Sequence, residues 1–336
     1  MAKDLTVSFI ERQNILNNRV AIPRIKEKLN IEAYLFEGKY YLTKQMVADF
    51  YEVDIRTIDN YLSSNEDELK HNGYFLCKGK SLKEFKLQFA HEKSFMSKTT
   101  QLGLFDFRAF LNIGMLLSES EKAKEVRSVI LDIVISTINE KGGGGTKYIN
   151  WRDRDYLPAA IQEANYRKNL TYPIKEYVDG HRTYKYASVT DMIYIAVFHE
   201  NAKQYRSLLQ LKPKDNVKAT MYAEVLRVIS SFENGIGSAI SEKSKALGRK
   251  ITLQEVQELV NAQAGSPAMA PFLYDARQKM ASLDFGLRDV YHDNIAGYLR
   301  ELSPEEFDRF IGSDSVDLEK LLDNDENRQV LERLKK

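Results

Sequence analysis

The segment LTKQMVADFYEVDIRTIDNYLS, from Leu42 to Ser63, restricts the fold more than any other stretch of this chain. Val47 and Ala48 fall on the inner side of a first helix, and the small Ala48 lets a second helix cross closely. Val53 plugs the turn. Asp54 stands where a carboxylate caps the second helix by accepting free backbone N–H groups. Ile58 and Leu62, one helical turn apart, then face inward and turn Arg56, Thr57, Asn60 and Ser63 outward. The pattern reads as a helix-turn-helix, whose second helix has the shape that the DNA major groove accepts. The competing reading is a short helical hairpin packed into a larger core. Two features weigh against DNA: Glu52 occupies the turn position usually given to glycine, and the acidic Glu66-Asp67-Glu68 follows the second helix. We read that acidic block as facing solvent, away from a duplex.

Charge distribution says more than net charge, which is only +1 over 336 residues. Lys70, Lys78, Lys80, Lys83, Lys86, Lys93 and Lys98 are opposed in that stretch by only Glu84 and Glu92. In a winged arrangement these lysines lie beside the DNA backbone, where counterion release drives binding; the alternative is a lysine-rich loop without a partner. The length allows two or three domains, and 43% hydrophobic with 29% charged residues is a globular composition. No apolar run approaches the ~20 residues of a membrane span. A start without an apolar signal segment and a single cysteine, Cys77, lead us to expect a cytoplasmic protein without disulfides.

Along the chain, residues 1–38 read as an N-terminal helical arm interrupted at Pro23, and 39–141 as the DNA-binding domain. Tyr40–Leu42 is an expected strand. Tyr74–Cys77 and Phe85–Leu87, around Gly79-Lys80-Ser81, form an expected β-hairpin wing, with a further strand over Gln101–Phe105. Phe107, Phe110, Leu111 and Met115 repeat at helical spacing. Ser118 to Glu121 fits a capping box opening a long helix to Glu140, with Ala123, Val126, Ile130, Ile133 and Thr137 on one face. Gly142 to Gly145 is the best domain boundary, within a linker over 142–150. Beyond it, 151–336 reads as helical: near 153–179, 188–199, 201–210, 215–247, 252–264, 268–283, 286–300, 303–311 and 315–335. Thr252 with Glu255, and Ser303-Pro304 with Glu306, are clear starts. Tyr222, Val225, Leu226, Ile229, Phe232, Ile236 and Ile240 form one buried stripe. The expected fold class is therefore mainly α: a winged helix-turn-helix with a small β-wing, then an all-α C-terminal domain.

The helix-turn-helix, the Asn72-Gly73-Tyr74 step, Leu102 to Phe110, the basic amphipathic Ala123 to Leu131, and Lys147-Tyr148-Ile149-Asn150 after a glycine linker occur in an order that resembles the RhuM-like, Bro-N and KilA-N type of prophage-associated DNA-binding proteins. The resemblance covers residues 40–155. A weaker one, to the helical tail of phage antirepressor-like proteins, covers Ile193 to Phe198 and Asn201 to Arg206. It implies DNA binding in a mobile-element or defence context, without a target. Some relatives carry a Fic-type AMP-transfer domain, marked by a His followed by a Gly-Asn-Lys/Arg loop. Here His199 is followed by Glu200-Asn201-Ala202-Lys203, so that activity is not expected.

Residues able to carry chemistry give little. His71, His91, His181, His199 and His292 do not fall at zinc-ligand spacings. Gly79-Lys80-Ser81 resembles the end of a phosphate loop, but its glycine spacing from Gly73 is one residue too long. Asp153 and Asp155 suit a metal nuclease less well than a salt-bridged helix start. Trp151 reads as a linker anchor, with base stacking as the alternative. Arg277, Lys279 and Arg288 with Tyr274, Phe285, Tyr291 and His292 read as core aromatics with solvated charges, or as a second interaction surface.

The leading expectation is a sequence-specific regulator of double-stranded DNA, a homo-oligomer without catalytic residues, metal or cofactor. Arg56, Thr57, Asn60 and Ser63 would read bases, while Thr43, Lys44, Lys78, Lys80, Lys83 and Lys86 would hold phosphates. The C-terminal domain would supply oligomerisation or a protein partner's surface. The alternatives are a toxin or anti-phage effector that uses the DNA-binding unit for targeting or autoregulation, and an antirepressor acting through protein contacts.

Overall fold

The computed structural model describes residues 4–89 and 99–317, together with residues 320, 323, 325, 328 and 329. Lys93, Lys98 and most of the helix expected over 315–335 lie outside the described residues. The protein is mainly helical with one small antiparallel sheet, and it divides into two compact units, Met1–Thr137 and Ile138–Lys336. The division falls inside a helix, just before the glycine run. No described helix is long and apolar enough to cross a membrane.

Unit 1 begins with α1 (Phe9–Asn17) and α2 (Ala21–Leu29), followed by β1 (Tyr34–Phe36) and β2 (Lys39–Thr43). The chain continues through α3 (Lys44–Phe50), α4 (Ile55–Ser64) and α5 (Glu66–His71) to β3 (Tyr74–Lys78). Then come α6 (Gly79–Gln88), β4 (Gln101–Phe105), α7 (Phe107–Leu116) and α8 (Glu121–Lys141). The sheet order is β1-β2-β4-β3, with Leu42 opposite Phe105 and Phe75 opposite Leu104. Strand alternation sends Tyr34, Phe36, Cys77 and Leu104 to one face, where Leu82 and Phe85 of α6 cover them. Helices α3 and α7 pack on β2 and β4, and α5 packs on β3.

Three local expectations are corrected here. The β-hairpin wing is absent: only its first arm is a strand, and the second is α6. Leu82 and Phe85 are both buried while Lys80, Lys83 and Glu84 are exposed, a helical period that strand alternation cannot satisfy. Pro23 does not interrupt the arm but sits in the first turn of α2, where its missing N–H costs nothing. The cap of α8 is Ser120, not Ser118: its Oγ accepts from the Ala123 N–H at 2.9 Å and donates to the Tyr51 carbonyl at 2.6 Å. The arm is also bound tightly into unit 1. Arg12 grips Glu68 through two 2.7 Å hydrogen bonds, and Arg108 reaches the Leu16 carbonyl, Asn17 and Asn72.

Unit 2 contains α9 (Tyr156–Tyr177), α10 (Arg182–Phe198), α11 (Ala202–Leu208), α12 (Ala223–Leu247), α13 (Leu253–Ala264), α14 (Ala270–Leu283) and α15 (Pro304–Phe310). Its spine is α12 against α9. The seven apolar residues from Tyr222 to Ile240 named above are at most 1% exposed. Gly237 is required there: a Cβ would meet the Asn169 carbonyl oxygen of α9 at 2.2 Å. Both expected helix starts form, each closed by a capping box, Thr252 with Glu255 and Ser303 with Glu306. The regular helix expected over 286–300 does not form. A π-helical turn, Asp284–Arg288, follows α14, Asp289 is left-handed at φ +58°, and a 3-10 segment spans Asp293–Tyr298. The reason is side-chain chemistry: Asp284, Arg288 and His292 are drawn together into the interior.

Candidate nucleic-acid interface

Helix α3 opens at Thr43, whose Oγ1 accepts from the Met46 N–H at 3.3 Å. Thr43 is 2% exposed, so it caps this helix from inside and does not face a phosphate as expected. Val47 and Ala48 are fully buried beneath the crossing of α3 and α4. The turn between the helices closes by two backbone bonds, Val53 N–H to the Ala48 carbonyl at 3.0 Å and Glu52 N–H to the Asp49 carbonyl at 3.3 Å. That bond pair is a Schellman ending, and it puts Glu52 at φ +54°, a left-handed position where an L side chain is strained.

Asp54 then caps α4, its Oδ1 accepting from the Arg56 N–H at 2.8 Å. Ile58 and Leu62 are buried against α3, α5 and α7, so Arg56, Asn60 and Ser63 are exposed and Thr57 is half-buried. Among the described residues nothing bonds to the side chains of Arg56 or Asn60. Ser63 donates its hydroxyl to the Asp59 carbonyl at 3.0 Å. Beneath this segment, Tyr51 is stacked on Phe110 at 5.0 Å and donates to the Phe110 carbonyl at 3.0 Å. Gly114 makes room for it, since a Cβ there would lie 2.1 Å from the Tyr51 hydroxyl. At the far side, Tyr61 donates to Glu119 at 2.7 Å and tethers α4 to the loop before α8. Burial alone would lift the Glu119 carboxyl, but the hydrogen bonds from Tyr61 and Ser118 outweigh it and hold it below its ordinary value.

The lysines are spread over different elements. Lys44 is paired with Asp59 at 2.5 Å, which neutralises the one acid on the outer side of α4. Lys78 and Lys83 are exposed, and Lys80 stands 3.7 Å from Glu84. Lys86 donates to the Thr99 carbonyl at 2.6 Å. Helix α6 carries Lys80, Lys83 and Lys86 on β3 and β4, whereas α4 packs on α3, α5 and α7. The geometry therefore gathers Arg56, Thr57, Asn60 and Ser63 on one helix face and leaves Lys80, Lys83 and Lys86 on a separate helix, α6, with Lys78 at the end of β3.

No family model, curated protein or solved structure matches this chain.

The other residues singled out by sequence are structural. Trp151 is 3% exposed and its indole N–H donates to the Ala219 carbonyl at 2.8 Å, so it anchors unit 2 and is closed to base stacking. Asp153 is buried, with its carboxylate accepting from the Asp155 N–H, and Asp155 pairs with Arg227 at 3.4 Å. Arg277 caps the end of α10, donating to the Val197 and Ala196 carbonyls at 2.9 and 3.0 Å. Lys279 is held by Glu306 at 3.2 Å, and Arg288 is buried. These cations are therefore not a second interaction surface. Sequence reasoning missed the Lys44–Asp59 pair, which joins two helices and has no local signature.

Proposed function

We propose that the chain is a sequence-specific DNA-binding regulator that presents α4 to the major groove. Arg56 and Asn60 read base edges, since a guanidinium matches the O6/N7 pair of guanine and a carboxamide the N6/N7 pair of adenine. The observation that carries this reading is that both side chains stand exposed on a helix fixed by a cap, a Schellman turn and a buried tyrosine, with no protein group bonded to them among the described residues. Pairing of Lys44 with Asp59 supports it, because an unpaired carboxylate on that face would repel phosphate. Lys78, Lys80 and Lys83 add sequence-independent attraction. A homodimer on a two-fold symmetric site is the matching assembly.

Selection from a random duplex pool at fixed salt, followed by anisotropy titration, tests the proposal. The selected duplex should bind Arg56→Ala/Asn60→Ala about 100-fold more weakly, at roughly 1–3 kcal/mol per lost base contact. Affinity for random duplex should change little. Equal loss on both duplexes, or unchanged discrimination, would refute the assignment of α4.

A further inference from the structure

A cavity of about 450 Å³ opens in unit 2 between α9, α10, α11 and the 3-10 segment Val217–Thr220. Its walls carry Arg167 from α9, Tyr194 from α10, Arg206 from α11, and Asn216 beside Lys218. Lys218 is 4% exposed and is clasped by two carboxylates, Glu163 and, at 2.5 Å, Glu233. Glu163 shares the cavity wall with it.

Charges on these groups do not cancel. Lys218, Arg167 and Arg206 are three cations against the two carboxylates Glu163 and Glu233. The guanidinium donors are also largely open. Arg167 comes no closer to Glu233 than 3.8 Å. Arg206 spends one amino group on the Lys212 carbonyl at 3.0 Å, which steadies the fork and leaves its other N–H groups unengaged among the described residues. Asn216 uses its carbonyl oxygen to accept from the Lys218 N–H at 3.0 Å, and so keeps its amide N–H groups for something else. Tyr194 is buried with its ring against Phe198, and no hydrogen bond from the described residues reaches its hydroxyl. Donors therefore outnumber acceptors, in a concave site of the size that holds small ligands. Planar guanidinium forks match oxyanions.

We propose that this cavity binds a small organic anion bearing a phosphate or carboxylate group, held by Arg167 and Arg206, with Asn216 donating and the Tyr194 ring forming part of the wall. Lys218, locked between Glu163 and Glu233, sets the floor and carries no ligand charge itself. This site is independent of the DNA reading.

Isothermal titration calorimetry on the full chain, with inorganic pyrophosphate and with succinate in separate runs, tests it. At least one should bind saturably, one per chain, and which one does identifies the head group. Arg167→Ala/Arg206→Ala should weaken that binding roughly tenfold or more. The bulkier R167Q/R206Q should lose as much, and the remote pair Lys245→Ala/Lys250→Ala should lose nothing. No saturable binding of either anion, unchanged binding in both arginine pairs, or equal loss in the lysine pair would overturn the proposal.

Discussion

His292 makes the strongest quantitative prediction about this protein. Its Nδ1 lies 2.9 Å from Glu200 and its Nε2 2.6 Å from Asp284, with the imidazole fully buried. Carboxylates only accept, so both ring nitrogens must donate, and the ring is an imidazolium. Burial opposes that charge, but the hydrogen bonds and attraction of Asp284 and Glu200 outweigh it and lift the pKa from 6.5 to about 9. At ~1.4 kcal/mol per pH unit, that lift corresponds to about 3 kcal/mol of folding stability. A raised histidine stabilises in full below its unfolded pKa. The contribution is therefore complete below pH 6.5, declines between 6.5 and about 9, and is gone above it. Asp284 reports the same contacts from the other side. Burial would raise it, but Arg288 at 3.1 Å and the His292 hydrogen bond hold it below its ordinary value, so the two shifts are not added. Urea unfolding followed by Trp151, the single and buried tryptophan of unit 2, should lose about 3 kcal/mol between pH 6 and 10, relative to His292→Asn. Nuclear magnetic resonance of the His292 Cε1–H should give a midpoint near 9. A midpoint below 7, or identical pH slopes in the two proteins, would refute the double-donor geometry.

Two further outcomes follow from local geometry. Glu52→Gly removes a left-handed L residue at φ +54° and should raise the stability of unit 1 by about 1 kcal/mol, measured by chemical denaturation; a loss would mean that the Glu52 side chain contributes more than the strain it carries. Lys218→Met leaves Glu163 and Glu233 buried without their cation and should cost about 3–5 kcal/mol, with most of that recovered in Lys218→Met/Glu163→Gln/Glu233→Gln. If the triple variant were no more stable than the single one, the loss would be one of packing and not of charge.

Local chemistry was legible where a helix start or a buried stripe is written in neighbouring residues. Thr252 with Glu255, Ser303 with Glu306, and Asp54 all cap helices, because a cap needs only a side-chain acceptor within three residues of a free N–H. The α12 stripe was visible for the same reason, since its period is fixed by the helix itself. Phe85–Leu87 reads as the second arm of a hairpin because aromatic and apolar residues favour strands, while the helix over Gly79–Gln88 is decided by Leu82 and Phe85 packing on a sheet formed from distant strands. In sequence Ser118 is the better cap, because Glu121 stands three residues after it whereas Ala123 follows Ser120. Ser120 is chosen by the Tyr51 carbonyl, 69 residues away.

The amino-acid order alone thus settled the mainly helical character, the caps of individual helices and the buried stripe of α12, all of which depend on residues a few positions apart. The tertiary structure decided which polar groups are spent and which stay open. Thr43 turned inward, Lys44 became the partner of Asp59, and Arg288 and His292 were sealed in the interior. Arg56 and Asn60 were left exposed. Burial and ion pairing join residues far apart in the chain, so their outcome depends on packing that no local pattern encodes.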